Sequence, residues 1–535
     1  MGNLNIGNFV GINRTQDASV CVIAPNGAVV ALQKERITRQ KHHWGRLYDM
    51  RDLYLPRIAE LREPIYAVVE CYSSDAEYER HADYLTELAD VVGAPHVALI
   101  NHHLAHAYSA FLPSRFSSAA MLVMDFMGSP VGHSSSNVEV ASAFLCRDGE
   151  IRLLEKHIWN CDRSRPVSLG PFYFFLTQLF FDGDGHEGKV MGLASYGDAH
   201  RAALPPLHVE GIEVTIPDAW LDVFRQRNYR DSLGQGSPHF AEAADVAAAG
   251  QEAFENALLD VLHWLREATG ESSLCFAGGI ALNCVANGRV LRESDFARVF
   301  VPSAPSDAGT SIGCAIYAAR HLNALQQIDW ATDYLGPRDV LDGDGVLFAD
   351  FTIDEPSDLA EKLADELAGG KAFAVFQNRS EFGPRALGHR SIIADARPPG
   401  MRDFLNFRVK AREWFRPFAP IVRQENVATY FRGVDASPFM QFAAEVCEEQ
   451  RPRIPAVTHV DGTARLQTIA KQQDVFIWDL LGKFEERTGV GVLLNTSLNG
   501  PAEPIVETVA EAVAFVRSVP LDGIVVPPRI YAKCG

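Results

Sequence analysis

His102 and His106 stand four apart in the run Asn101-His102-His103-Leu104-Ala105-His106-Ala107, directly after an apolar stretch that reads as a strand. On a helix, residues four apart lie about 40° apart in projection, so these two imidazoles share a face and can chelate one ion, while His103 points elsewhere. Asp125 closes a second apolar run, Met121-Leu122-Val123-Met124. A carboxylate at the end of such a strand emerges where open α/β sheets bind their ligands. Asp307 follows the strand-like Val299-Phe300-Val301 and precedes Gly309 and a helical segment. Two His plus two Asp leave coordination positions open and suit Fe(II) or another divalent ion that takes part in a reaction; a closed zinc site would use more thiolate. The bland alternative is a histidine-rich surface helix beside two unrelated aspartates, and the four residues alone leave both readings open.

A second motif, Phe276-Ala277-Gly278-Gly279-Ile280-Ala281-Leu282-Asn283, runs from a strand through paired glycines into a helix. Without side chains, Gly278 and Gly279 let backbone N–H groups approach a phosphate or an adenosine closely, although strand-to-helix turns also need glycine for structural reasons alone. The glycine-rich Asp182–Lys189 segment lacks the spacing of a P-loop. The third motif is basic. From Gln377 to Arg416 there are eight Arg and one Lys against four acidic residues, inside a chain of net charge −19. Gly383-Pro384 breaks helical periodicity and puts Arg385 in a loop; Arg379, Arg390, Lys410, Arg412 and Arg416 complete the cluster. Converging guanidinium groups bind phosphate oxygens in pairs, so the cluster reads as a polyphosphate or acyl-phosphate pocket. The interleaved Phe382, Phe404, Trp414, Phe415 and Phe418 favour burial over a solvated, salt-bridged face. Arg465 follows the turn signal Asp461-Gly462, and Asn495 follows the strand-like Val490–Leu494, where a buried or ligand-facing amide is expected at the strand end.

The elements that must position these groups alternate between strands and helices, an α/β pattern. Asn26-Gly27 and Asp148-Gly149 each join two strand-like runs as hairpins. Further strands are expected at Ala67–Cys71, His96–Ile100 and Ala119–Phe126, and the spacing of Phe254, Leu258, Leu262 and Leu265 predicts a helix over 240–268. The stretch 325–350 reads as a linker, giving two domains, 1–345 and 346–535. With 47% hydrophobic and 22% charged residues over 535 positions, the chain can bury a full core. Its 68 acidic against 49 basic residues repel phosphate backbones and anionic membranes, which disfavours nucleic acid and membrane partners. Nine scattered cysteines form no C-x-x-C pair, and the apolar stretch Phe172–Phe181 is too short to span a bilayer. No basic-then-apolar leader is visible, so the expectation is a soluble, reduced, cytoplasmic protein.

Taken together, Asn101-His102-His103-x-x-His106-Ala107, Gly278-Gly279-x-Ala281-Leu282-Asn283, Pro305-Ser306-Asp307-x-Gly309, Glu381-Phe382-Gly383-Pro384-Arg385-Ala386-Leu387-Gly388, Arg412-Glu413-x-Phe415-Arg416-Pro417-Phe418-Ala419-Pro420 and Asn495-Thr496-Ser497-Leu498-Asn499 resemble the nodulation/antibiotic-type O-carbamoyltransferases, in that order and from Gly11 to about Val506. The resemblance implies an N-terminal actin/sugar-kinase-like domain made of duplicated ribonuclease-H-like halves, and a C-terminal domain like the threonylcarbamoyl-adenylate synthases. It implies that carbamoyl phosphate and ATP, with Mg²⁺, react in the C-terminal pocket to give carbamoyl-adenylate, with Arg385, Lys410, Arg416, Arg465 and Asn495 lining it, and that Lys41, Gly278, Gly279, Asn283 and Arg412 contact nucleotide. It further implies that His102, His106, Asp125 and Asp307 hold Fe(II) or another divalent ion where the carbamoyl group passes to a hydroxyl of a small-molecule natural product.

Two departures from the pattern stand out. Many members carry His-Asp-Ala-Ser where this chain has Gln16-Asp17-Ala18-Ser19, so an acceptor base would have to be Asp17, His103 or a metal-bound phosphate. Many also have Gly after the metal-binding Asp, where Phe126 stands here. Segments 40–62, 126–141 and 157–181 are expected to shape the acceptor pocket; the acidic surface and the Tyr/Phe-rich 172–181 fit a cationic or aromatic acceptor. A tRNA threonylcarbamoyl transferase would need a basic RNA-binding face, and a kinase of the superfamily would not need the Arg-rich domain. The missing C-x-x-C pairs argue against the hydrogenase-maturation carbamoyltransferases. Assembly into a homo-oligomer is left open.

Overall fold

Both turn dipeptides form the hairpins expected of them. Gly27 has φ +86°, and Asp148 and Gly149 have φ +53° and +86°, the left-handed pair that matches the twist of flanking antiparallel strands. The computed structural model describes residues 7–59, 63–72, 81–132, 134–183, 185–322, 328, 333–339 and 344–534. It divides into two compact units, one of Met1–Thr38 with His42–Ala331 and one of Arg39–Lys41 with Thr332–Gly535. Much of the linker expected at 325–350 lies outside the described residues. Residues 333–339, assigned to the first domain on sequence, belong with the second unit. The Tyr334 ring stacks on His389 with centroids 3.5 Å apart, and Arg379 donates to the Leu335 and Gly336 carbonyls.

In the first unit, β1 (Asn8–Asn13), β2 (Ser19–Ile23), β3 (Val29–Gln33), β4 (Ile65–Tyr72) and β5 (His96–Asn101) form a sheet in the order β3-β2-β1-β4-β5. β2 runs antiparallel to β1 and β3, whereas β4 is parallel to β1 and β5. The second sheet contains β6 (Ser118–Met124), β7 (Pro130–Val131), β8 (Ser134–Arg147), β9 (Glu150–Trp159), β12 (Ser273–Ala277) and β13 (Arg298–Phe300); β10 (His208–Glu210) and β11 (Glu213–Thr215) make a separate ribbon. With β7 set aside, the order β9-β8-β6-β12-β13 repeats the first sheet strand for strand. β8 is antiparallel to β6 and β9, and β12 is parallel to β6 and β13. The topology is duplicated although no short-period repeat shows in the sequence.

Each half ends on the residues that carry chemistry. β5 runs directly into the helix His102–Ser114, and the Asn101 side chain caps it by accepting from the Leu104 N–H. β13 leads through a tight turn, Asp307–Gly309, into the helix Thr310–Tyr317. Those two helices touch backbone to backbone: a Cβ on Gly313 would lie 1.8 Å from the Ala105 carbonyl oxygen, and one on Gly11 of β1 would lie 1.9 Å from the Ser311 oxygen. Only glycine permits either approach. The long helix Phe240–Thr269 packs the expected face inward, with Phe254, Leu258, Leu262 and Leu265 buried, and ends on Gly270 in the left-handed conformation.

The second unit is a mixed sheet of β14 (Phe351–Asp354), β15 (Ala372–Phe376), β16 (Arg390–Asp395), β17 (Ala419–Arg423), β18 (Phe431–Arg432), β19 (Phe442–Val446), β20 (Thr463–Ile469), β21 (Val492–Ser497), β22 (Gly523–Val526) and β23 (Arg529–Lys533). Their order is β14-β23-β22-β15-β16-β21-β17-β20-β19-β18. The helices Leu359–Ala368 and Val475–Thr488, capped by Asp358 and Asp474, bury Leu363, Leu367, Ile477, Leu480 and Phe484 against Phe373, Val375, Ile393, Ile421 and Leu493. Among the described residues, no helix is long and apolar enough to cross a membrane.

Replacing Gly313 with Val forces a branched side chain into the contact between the two helices. The expected result is a loss of about 1–3 kcal/mol in stability by denaturant titration, together with weakened divalent-metal binding by equilibrium dialysis. Normal stability and metal binding would show that the close approach is dispensable.

Candidate active site

In the first unit, His102 and His106 are fully buried and their Nε2 atoms are 3.1 Å apart. Asp125, just past the end of β6, brings Oδ2 to 3.7 Å from the His102 Nε2 and 3.2 Å from that of His106. Asp307 brings Oδ1 to 3.3 and 3.7 Å from the same nitrogens. All four sequence-predicted ligands therefore converge, with one donor atom each within 4.8 Å of the others. Donors held about 2.1 Å from one ion lie about 3.0–3.4 Å apart in octahedral or tetrahedral coordination, so this spacing fits a divalent metal. The donor set fits as well: among the described residues, the buried Asp125 Oδ2 has no hydrogen-bond donor, as expected of an oxygen that faces a cation. Burial pushes the His102 imidazole down, but Asp307 and Asp125 outweigh it and hold the group well above its ordinary value. Burial acts on Asp125 in the opposite sense, and the two imidazoles hold it well below the usual carboxylate range. Imidazole and carboxylate thus stabilise opposite charges on each other, a part that a bound divalent ion would take over by displacing the imidazole protons.

Polar groups the sequence did not single out fix these ligands. The Asp307 Oδ2 accepts from the Thr15 hydroxyl at 2.7 Å, and its carbonyl accepts from Asn13 Nδ2 at 3.0 Å and the Thr310 hydroxyl at 2.7 Å. Glu139 on β8 is wholly buried. It accepts from Asn101 Nδ2, from the backbone N–H of His103 at 3.1 Å and from that of Ser129 at 3.0 Å, and it pairs with Lys156. A carboxylate at the start of the His102–Ser114 helix complements its dipole. Burial would raise Glu139, but the neighbouring imidazole and Lys156 hold it down to about 2. His103 itself is pushed down to about 3 by burial and bonds Ser142 through Nδ1; enclosed in this network, it is not the acceptor base that the sequence left open.

The glycine pair backs onto the same centre. Gly278 has φ +92°, a Cβ on it would meet the Met124 oxygen at 2.0 Å, and one on Gly279 would sit 3.0 Å from Asp125 Oδ1. Asn283, expected to touch nucleotide, is engaged internally: its amide pairs both ways with Gln251 and caps the helix Cys284–Glu293 by accepting from the Ala286 N–H. Phe126 donates its N–H to Asp125 Oδ1 at 2.8 Å, and its ring lies 4.6 Å from Phe174 and 5.9 Å from Trp159, an aromatic wall beside the ligands.

The second unit gathers cations. Lys410 is buried, and its Nζ donates to the Ser497 and Asn499 carbonyls at 2.8 Å each, oxygens that carry no charge. Burial, then Arg412, Arg416 and Lys41, push it well below the usual lysine range. Arg412 is depressed by burial, Arg416 and Arg465, and Arg416 by burial and Arg465, with Glu413 the opposing carboxylate. Lys410, Arg412, Arg416, Arg465 and Lys41 thus share one positive region, an arrangement suited to a polyanion. Arg412 is partly committed to structure, since it donates to Asn406 Oδ1 at 2.6 Å and covers the Phe418 ring at 4.2 Å. Arg385 lies in the expected loop, which Glu381 shapes by accepting from the N–H groups of Leu387, His389 and Arg390. Asn495 sits within β21 and not at its end. Its Nδ2 donates to the Ala386 carbonyl at 3.1 Å and to Gln467 Oε1 at 2.6 Å, tying the Arg385 loop to the sheet.

Residues 53–316 match the family description "Carbamoyltransferase N-terminus" and residues 364–533 match "Carbamoyltransferase C-terminus". The chain is 36% identical over 468 residues to nodulation protein NolNO of Sinorhizobium fredii, covering 84% of this chain and 65% of that protein. It is 36% identical over 455 residues to NolO of Bradyrhizobium diazoefficiens, covering 81% and 79%. With the 3'-hydroxymethylcephem-O-carbamoyltransferase of Streptomyces clavuligerus it shares 32% identity over 406 residues, 73% of this chain and 74% of that one. The chain belongs to the carbamoyltransferase family, enzymes that transfer carbamoyl groups.

Glu139→Ala would leave Lys156 and several buried N–H groups without their acceptor. It is expected to cost about 3 kcal/mol or more in denaturant titration. Because Glu139 is held down, its stabilising charge is fully present above the unfolded carboxylate value of about 4.3 and fades as pH falls toward 2. The difference between wild type and variant should therefore narrow below that pH; a constant difference would contradict the assignment.

Proposed function

We propose that the chain is an O-carbamoyltransferase with two reaction centres. The observation that carries this reading is the cationic region around Lys410, whose buried ammonium meets uncharged oxygens and three further cations. Such a region holds phosphoryl groups and neutralises charge as it develops. In it, water would cleave carbamoyl phosphate to carbamate and phosphate, and the carbamate oxygen would attack the α-phosphorus of Mg²⁺-bound ATP. Pyrophosphate would leave, giving carbamoyl-adenylate. Arg385, Lys410, Arg416 and Arg465 would bind the phosphoryl oxygens, and Asn495 would hold the Arg385 loop in place.

At the other centre, a hydroxyl of a small natural product would attack the carbamoyl carbon, and the bond from that carbon to the AMP oxygen would break. His102, His106, Asp125 and Asp307 would hold a divalent cation, read as Fe(II), which supplies Lewis-acid polarisation of the transferred group. Thr15 and Asn13 orient Asp307, while Glu139 fixes the backbone that presents both imidazoles. The repeated strand order supports an actin/sugar-kinase-like, duplicated ribonuclease-H-like reading of the first unit. The second unit is read as threonylcarbamoyl-adenylate-synthase-like. The wall of Phe126, Phe174 and Trp159 favours an acceptor with an aromatic or flat apolar ring.

Purified protein given carbamoyl phosphate, ATP, Mg²⁺ and Fe(II), without acceptor, should form AMP, pyrophosphate and carbamoyl-adenylate. Lys410→Ala or Arg385→Ala should lower adenylate formation at least about 100-fold, while His102→Ala should retain it. ADP as the product would point instead to kinase chemistry. In an acceptor panel, hydroxymethyl-bearing aromatic rings should outperform simple sugars; reaction of neutral sugars alone would sink the acceptor assignment.

A further inference from the structure

One side-chain amide in the second unit has only half of its bonding capacity in use. Asn495 Nδ2 donates to the Ala386 carbonyl at 3.1 Å and to Gln467 Oε1 at 2.6 Å, which occupies both of its N–H bonds. A carbonyl can only accept, so the nitrogen faces it and the orientation of the amide is fixed. Gln467 is fixed in the same way, because its Nε2 donates to the Leu387 carbonyl at 2.8 Å. Asn495 Oδ1 is buried and, among the described residues, has no hydrogen-bond donor. Buried polar groups in native folds are almost always bonded, and an acceptor left in this state is costly. It is suited to a donor that arrives with a ligand.

The bonds around Asn495 set it among the cations. Along β21, Asn495 and Ser497 project from the same face, and Ser497 accepts from Lys410 Nζ through its carbonyl at 2.8 Å and its hydroxyl at 3.3 Å. Along β20, Gln467 and Arg465 likewise share a face, and Arg465 is one of the charges that hold Arg412 and Arg416 down. Ala386 directly follows Arg385. β17 runs between β20 and β21, and the small Ala419 opposite Asn495 leaves room for the two amides to meet across it. Asn495 therefore stands where the segments that carry Arg385, Lys410 and Arg465 come together. Arginine and lysine side chains carry donors only, so they bind phosphoryl and carboxylate oxygens but cannot register an N–H on the substrate.

We infer that Asn495 Oδ1 accepts from the N–H of the carbamoyl group and thereby selects carbamoyl phosphate over acyl phosphates that have carbon at that position. The inference rests on the carbamoyl-adenylate reading of this region. Acetyl phosphate has nearly the same shape and the same charge, with a methyl group in place of the NH₂. With the carbamoyl group bound, the oxygen gains its donor. With the acetyl group it stays buried and unpaired, so the penalty falls on the wrong substrate alone. The two ends of one amide thus have separate tasks: Nδ2 ties down the Arg385 loop, and Oδ1 reads the substrate.

Competition between the two acyl phosphates separates this role from a structural one. Full-length enzyme is given ATP, Mg²⁺ and equal concentrations of carbamoyl phosphate and acetyl phosphate, without acceptor. Carbamoyl-adenylate and acetyl-adenylate are then quantified by mass spectrometry. A general loss of turnover lowers both products together and leaves their ratio unchanged. Wild type should favour the carbamoyl product at least about 100-fold, and in Asn495→Leu the ratio should fall at least about tenfold. Gln467→Leu removes the tether to β20 but leaves Oδ1 in place, so it should lower turnover while keeping the ratio within about threefold of wild type. An unchanged ratio in Asn495→Leu would overturn the inference, as would wild type that adenylates both substrates equally. A fall in Gln467→Leu as large as in Asn495→Leu would also overturn it, because the selection would then lie in the tether. Wild type that makes neither adenylate would instead contradict the carbamoyl-adenylate reading itself.

Discussion

The convergence of His102, His106, Asp125 and Asp307 depends on two helices whose backbones touch where Gly313 meets Ala105. Gly313 of one lies against the Ala105 carbonyl of the other, and that contact sets how close their first turns can come. One first turn carries His102 and His106, and the turn before the other carries Asp307. Asp125 arrives from β6, whose exit is pressed upon by Gly278 and Gly279. Four donors from three separate parts of the chain reach one point because small residues let backbones approach where larger ones would hold them apart.

The two units use opposite electrostatic arrangements. In the first, two imidazoles and two carboxylates face one another around Asp125 Oδ2, a buried oxygen without a hydrogen-bond donor among the described residues. In the second, Lys410 and its neighbours depress one another and meet carbonyls and aromatic rings, with Glu413 and Glu503 as opposing carboxylates. Buried charge without compensation is costly, so each arrangement is complementary to what it lacks: a cation in the first and a polyanion in the second. A chain of net charge −19 can still attract phosphate, because the positive region is local and partly buried.

Much of this was legible in the sequence because it is local. The i, i+4 histidines, the two turn dipeptides and the arginines bracketed by aromatics each announce themselves within a few residues. Glu139 gave no such signal: in β8 it reads as one acidic residue among valines, and its importance arises from Asn101, Ser129 and Lys156, which tertiary structure brings to it. Asn283 and Asn495 show in the sequence as polar residues at a turn and near a strand end, whereas the partners of their amides, Gln251 and Gln467, are far away in sequence.

X-ray absorption spectroscopy at the iron edge, on protein loaded anaerobically with one equivalent of Fe(II), tests the central claim most directly. The account predicts a first shell of two imidazole nitrogens and carboxylate oxygens at about 2.0–2.2 Å, with the imidazole scattering halved in His106→Ala. A shell containing sulfur, or one without imidazole, would contradict it.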